Sequence, residues 1–112
     1  MQKNINIRLY KNNKLHQEYN NIKSISNNKL HFIIDNVHTS ISDSIFQREN
    51  EEYLFRIDLN KKIATYLLKS SNINYDIKVE ESIINRRDNQ IIIEYKIETE
   101  EDKIKIIIES CW

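Results

Sequence analysis

Not one of the 112 residues is a glycine or a proline. At average usage, roughly 7% and 5%, a chain of this length carries about eight glycines and about six prolines. The absence removes whole classes of chemistry. A phosphate-cradling P-loop, a dinucleotide fingerprint and a nucleophile elbow each need glycine, because a Cβ blocks the tight turn or the close approach of backbone to ligand. None of them can be built from this chain. Turns that demand positive φ must use another residue. Asparagine is the best substitute, since its short amide tolerates the left-handed region, and there are 15 asparagines.

The segments between these turn signals alternate apolar and polar residues with a period of two. Ile5, Ile7 and Leu9 alternate, and a weaker run extends from Leu15 to Ile25. Leu30, Phe32 and Ile34 lead through Asp35-Asn36 to a polar strand from His38 to Arg48, with Ile41 and Ile45 on one face. Tyr53, Phe55, Ile57 and Leu59 follow, then Ala64, Tyr66 and Leu68, then Tyr75, Ile77 and Val79. Ile91, Ile93, Tyr95 and Ile97 precede an acidic turn at residues 98–102 and a last run of Ile104, Ile106 and Ile108. That is about nine strands, the pattern of an antiparallel sandwich or barrel. Asparagine pairs at 12–13, 20–21 and 27–28 are read as hairpin turns. The composition agrees: 22 isoleucines against a single alanine, Ala64, depress helix propensity and favour strands. The same bias follows AT-rich codons, as expected of an AT-rich genome.

Segments 91–97 and 104–108, isoleucine-rich and free of proline, are aggregation-prone when left at a sheet edge. Closure removes the edges. The expected fold is therefore all-β: one domain over residues 1–112, an antiparallel meander of about eight to ten strands closed into a barrel, with little or no helix.

Net charge is zero, with 17 basic and 17 acidic residues, so nothing in the total draws the chain to nucleic acid or an anionic membrane. No apolar run approaches the roughly 20 residues of a membrane helix, and the N-terminus lacks the pattern of a signal peptide. The single cysteine, Cys111, cannot form an intrachain disulfide and is read as an inert thiol. A cytoplasmic location is the expectation.

From Leu30 to Glu109 the chain resembles the YwiB-like family, small bacterial proteins of unknown function. The likeness is carried by the strand around Thr39 and Ile41 ending at Phe46-Gln47-Arg48, the aromatic hairpin Tyr53-Leu54-Phe55, a strand ending at Tyr66, and Ile91-Ile92-Ile93-Glu94-Tyr95. It implies a calycin-like (lipocalin-like) barrel and no particular activity. Asn50 stands where the family tends to place a glycine two residues after the arginine. Ser70-Ser71-Asn72-Ile73 stands where it has a Thr-Pro-Tyr-Gly-like turn.

Few residues suggest chemistry. His16, His31 and His38 match no compact metal motif and read as surface histidines. His38 can approach Ser40 on its own strand face but not Thr39. The acidic run 98–102 lacks the staggered ligands of a calcium loop and reads as a solvated hairpin tip. Phe46, Arg48, Tyr53, Phe55 and Arg56 interleave aromatics with arginines, as a stacking platform for single-stranded nucleic acid does, but Glu49, Glu51 and Glu52 oppose it. Tyr53, Tyr66, Tyr75 and Tyr95 all lie on the apolar side of their strands. In a packed barrel they are core residues whose hydroxyls reach the rim; in a barrel that keeps a cavity they line it, and Arg48 at its strand end meets an anionic ligand group at the mouth. The expected function is a non-enzymatic binding module for a small apolar or amphipathic ligand or a protein partner, with Tyr53, Tyr66, Tyr75, Tyr95 and Arg48 as its site. No catalytic residue, metal, cofactor, nucleic acid or membrane is expected. The alternatives are a small-barrel enzyme using a buried tyrosine or His38 as acid–base, and a weak single-strand binder.

Overall fold

A computed structural model describes residues 2–111, with Cys111 described by its backbone alone. The Cys111 thiol, with Met1 and Trp112, lies outside the described residues. The alternating segments form ten strands: β1 (Gln2–Lys11), β2 (Lys14–Ser26), β3 (Leu30–Ile34), β4 (Val37–Ser42), β5 (Ile45–Glu49), β6 (Tyr53–Asp58), β7 (Ile63–Leu68), β8 (Ile73–Arg87), β9 (Gln90–Ile97) and β10 (Ile104–Cys111). Each pairs antiparallel with the next, and β10 returns to β1, so the meander closes into a barrel. Ile7 sits opposite Ile108 along the closing seam, and an Arg8–Glu109 ion pair bridges it on the outside. This is the expected all-β closed meander, consistent with a calycin-like barrel.

Asparagine supplies much of the positive φ that glycine does not. Asn12 and Asn13, at 52° and 67°, turn β1 into β2; Asp35 and Asn36, at 51° and 65°, turn β3 into β4. Two successive positive φ values mark the type I′ turn, whose twist matches the flanking strands. Asn72 takes 53° between β7 and β8, the conformation a glycine would hold there. Asn50 works differently: without positive φ, its Oδ1 accepts the backbone N–H groups of Glu52 and Tyr53 at 2.8 and 2.9 Å.

Three local readings of the sequence need correction. Asn20-Asn21 is no hairpin turn but a bulge inside β2: the register jumps between Ile5↔Ile22 and Ile7↔Tyr19, with Asn21 at a φ of 57°. The run from His38 to Arg48 is two strands, β4 and β5, joined at Asp43-Ser44. Ile41 therefore faces Phe46 in the interior, while Ile45 pairs with Ser42 on the outer wall, and the two isoleucines do not share a face. The strand containing Tyr75 runs on to Arg87, because a register shift at Glu80 turns it from β7 towards β9.

Inward positions are apolar on nearly every strand. The core among the described residues includes Ile5, Ile41, Phe46, Ile57, Ile93 and Val79, each at most 1% exposed. Outward positions are mixed: charged Arg8, Lys23, Glu49, Arg56, Asp76, Glu94 and Lys105 share the outer face with Ile33, Ile63, Ile92 and Ile107. No helix among the described residues is long and apolar enough to cross a membrane.

The two ends differ. At the lower end the Arg86 guanidinium donates to the carbonyls of Ser42 and Asp43 at 3.1 and 3.3 Å, and Ser82 Oγ donates to the Leu59 carbonyl at 2.6 Å. At the upper end Asn12 Nδ2 donates to Asp102 at 2.8 Å, and its Oδ1 accepts the Lys103 N–H at 3.0 Å. The acidic turn is thereby tied to the first hairpin.

Candidate functional site at the upper mouth

The sequence-selected residues meet at the upper end because register puts them there. Arg48 on β5 pairs with Thr39 on β4 and Phe55 on β6, Phe55 with Tyr66 on β7, and Tyr66 with Tyr75 on β8. Residues directly opposite across a ladder project to the same side. Arg48, Thr39, Phe55, Tyr66 and Tyr75 thus form one inward row across five strands.

On the Thr39 side of Arg48 the packed interior leaves a cavity of about 60 Å³, walled by Leu9, Tyr19, Phe32, Ile34, Val37 and Phe46. Gln17, Thr39 and Arg48 supply its polar groups. At about 30 Å³ of liquid volume per water, it has room for about two waters or one small polar group. Among the described residues, Thr39, at 6% exposure, and Arg48 make no side-chain hydrogen bond or ion pair. No buried side-chain nitrogen or oxygen among the described residues is left unpartnered, so these polar atoms are open to solvent. Apolar walls with a few convergent polar groups are the usual make-up of a ligand site.

On the other side of Arg48 the aromatics run in an unbroken series. Phe46 and Phe55 flank Tyr95, with ring centroids 6.1 and 6.4 Å from it. Phe55 meets Tyr66 edge-on at 6.1 Å. Tyr53 and Tyr75 stack on Tyr66, both at 5.7 Å, the first within 3° of parallel. All these spacings fall in the range where aromatic pairs attract, roughly 4.5–7 Å. The series climbs from buried Tyr95, at 7% exposure, to Tyr75, at 45%.

Two phenols of the series are raised above the ordinary tyrosine value. Burial pushes the Tyr95 phenol up to about 12, although the Arg48 charge pulls the other way. Tyr66 is also raised, by partial burial first and then by the neighbouring Tyr53 and Tyr75 hydroxyls. Both phenols are neutral hydrogen-bond donors at physiological pH.

All five sequence-selected residues therefore fall on one inward surface. Tyr95 is its floor, Tyr53 and Tyr66 its half-buried wall, Tyr75 its exposed lip, and Arg48 the junction with the cavity. The sequence does not single out Gln17, Tyr19 or Thr39 as lining residues. Thr39 is marked only by its place opposite Phe32. Gln17 and Tyr19 lie in a polar strand whose bulge hides the alternation.

Other groupings do not assemble. Alternation splits the arginine–aromatic stretch: Phe46 is fully buried, while Arg56 is outside, donating to Gln47 at 3.2 Å. His38 meets His31 on the outer wall, not Ser40. No group of three or more His, Cys, Asp or Glu among the described residues is arranged to hold a metal. At the lower end, a cleft of about 370 Å³ between the β2–β3 and β8–β9 turns is rimmed by Lys29, Asp43, Arg86, Arg87 and Asp88; Arg86 is committed to the carbonyls named above. Compared with protein-family models, curated proteins and solved structures, the chain matches none.

Proposed function

We propose that the protein is a calycin-like, YwiB-like binding module that takes a small amphipathic anion at its upper mouth. The supporting observation is Arg48, a half-buried cation between an aromatic wall and a small cavity, with no counter-charge among the described residues bonded to it. A half-buried cation with no bonded counter-charge suits a bound carboxylate, sulfonate or phosphate, which pairs with it through charge-assisted hydrogen bonds. The Thr39 hydroxyl is placed to add a further hydrogen bond. The interior is too full for a long acyl chain, so the apolar part of the ligand lies outward against Tyr66, Tyr53 and Tyr75. The stacked tyrosines hold one another rigid and present ring edges and hydroxyls to a ligand's apolar part.

The test compares two fluorescent probes of similar shape, anilinonaphthalene sulfonate and its uncharged analogue N-phenylnaphthylamine. Both bind the parent protein. Arg48→Ala weakens the sulfonate about tenfold, or about 1.4 kcal/mol, and leaves the neutral probe unchanged. Tyr66→Ala weakens both. Failure of the parent to bind either probe, or equal sulfonate affinity with and without Arg48, overturns the reading.

A further inference from the structure

The outer wall of the β3–β4 hairpin carries a second arrangement, independent of the mouth. His31 and His38 lie diagonally across the two strands: His38 pairs with Ile33 and His31 with Ser40. Their rings approach to 5.4 Å between centroids, and His38 Nδ1 stands 3.3 Å from His31 Nε2. Both side chains open into an outer groove of about 960 Å³ whose charged lining is mixed, Asp35, Glu49, Glu51 and Glu52 with Lys29 and Lys69. Glu49 is the residue directly opposite His38 on β5, and its Oε2 is held by Lys69 at 2.7 Å.

We propose that His31 and His38 form a two-imidazole clamp for a divalent cation of the zinc, nickel or copper class. Imidazole nitrogens bind such ions at about 2.0–2.1 Å, so two of them on one tetrahedral centre lie about 3.3–3.4 Å apart. The nitrogens already hold that separation. Binding requires the two rings to exchange their mutual contact for lone pairs aimed at one ion, with each ring's proton on its other nitrogen. The hairpin resists splaying, because its two-residue turn fixes the register on which the diagonal depends. Glu49 beside the clamp is already paired with Lys69, so the two imidazoles carry the binding, and they leave coordination positions open to water and to anions in the groove. Imidazole selects these metals; magnesium and calcium prefer oxygen cages.

The full chain is titrated calorimetrically with zinc, nickel and magnesium chlorides at neutral pH. One equivalent of zinc or nickel binds in the micromolar range, and magnesium does not bind. His31→Ala and His38→Ala each weaken zinc at least tenfold, whereas His16→Ala changes nothing. The substitutions lie on the outer wall, and an unchanged strand-type circular dichroism spectrum checks that each variant is folded. Zinc perturbs the imidazole nitrogen resonances of His31 and His38 and spares those of His16. Absence of zinc binding below millimolar concentration overturns the proposal. Affinity that survives both substitutions, or that disappears in His16→Ala, does so as well.

Discussion

Tyr95 combines packing with titration. It faces inward beside Ile93 and Ile97, with Phe46 and Phe55 against its ring. Tyr95→Ala should cost on the order of 3–5 kcal/mol in denaturant melts, from lost transfer energy plus the cavity left behind. Tyr75→Ala, at an exposed lip where the stack on Tyr66 is the main loss, should cost only about 0.5–1.5 kcal/mol. The phenol makes a second prediction. Its native value is pushed up to about 12, against roughly 10 in the unfolded chain, so the native state holds the proton more tightly. That contribution is complete below about pH 10 and is lost as pH rises from 10 through 12, to a limit on the order of 3 kcal/mol. Tyr95→Phe should flatten the fall in stability over that window, with Tyr66 leaving a smaller residual slope. Urea melts of parent and variant between pH 9 and pH 12 measure the difference.

Asn21 is a single residue whose effect is felt along a strand. Its φ of 57° lets two residues of β2 oppose one of β1, and its N–H is accepted by Asn6 Oδ1 at 2.9 Å. Only the last three residues of β2 pair with β3, so most of that flank is an open edge. A bulge twists such an edge away from foreign strands. Asn21→Val should cost about 1–2 kcal/mol, since a β-branched residue resists the left-handed region. The same change at Asn20, outside that region, should be near neutral, and paired melts of the two variants test the contrast. The bulge also shows why some strands are readable from sequence and others are not. Where pairing is regular, as in β6, β7 and β9, each inward position is apolar and the strand can be read directly. An extra residue at Asn21 or Glu80 inverts the alternation midway and blurs β2 and β8. Asp43-Ser44 conceals a turn because neither residue is an asparagine pair member. The site was legible to the same extent. Tyr53, Tyr66 and Tyr95 follow from alternation alone, whereas Gln17 and Thr39 join Arg48 only through pairing between strands distant from the tyrosines.

At the scale of the barrel, nine of the ten ladders among the described residues join consecutive strands, and the tenth, β1–β10, joins the first strand to the last. Hairpins form locally in about 1–10 μs, but this seam must wait for the remaining strands to be in place, because closing so long a loop carries a larger entropy cost. Substitutions at the seam therefore divide by timing. Ile108→Val, in the seam, should mainly speed unfolding and hardly slow refolding, as expected of contacts formed after the transition state; stopped-flow rates on both limbs report it. The same seam makes every junction around the barrel equivalent in kind, each an antiparallel pair of neighbours. A circular permutant with its original ends linked and new ends between Ser70 and Ser71, in an exposed loop, should still unfold cooperatively with a strand spectrum. In that variant Leu68↔Ile73 becomes the late-forming seam and Ile7↔Ile108 an ordinary hairpin contact. The architecture is cyclic even though the polymer is linear, so any turn can be relocated as the gap while the same ring of ten strands encloses the same core.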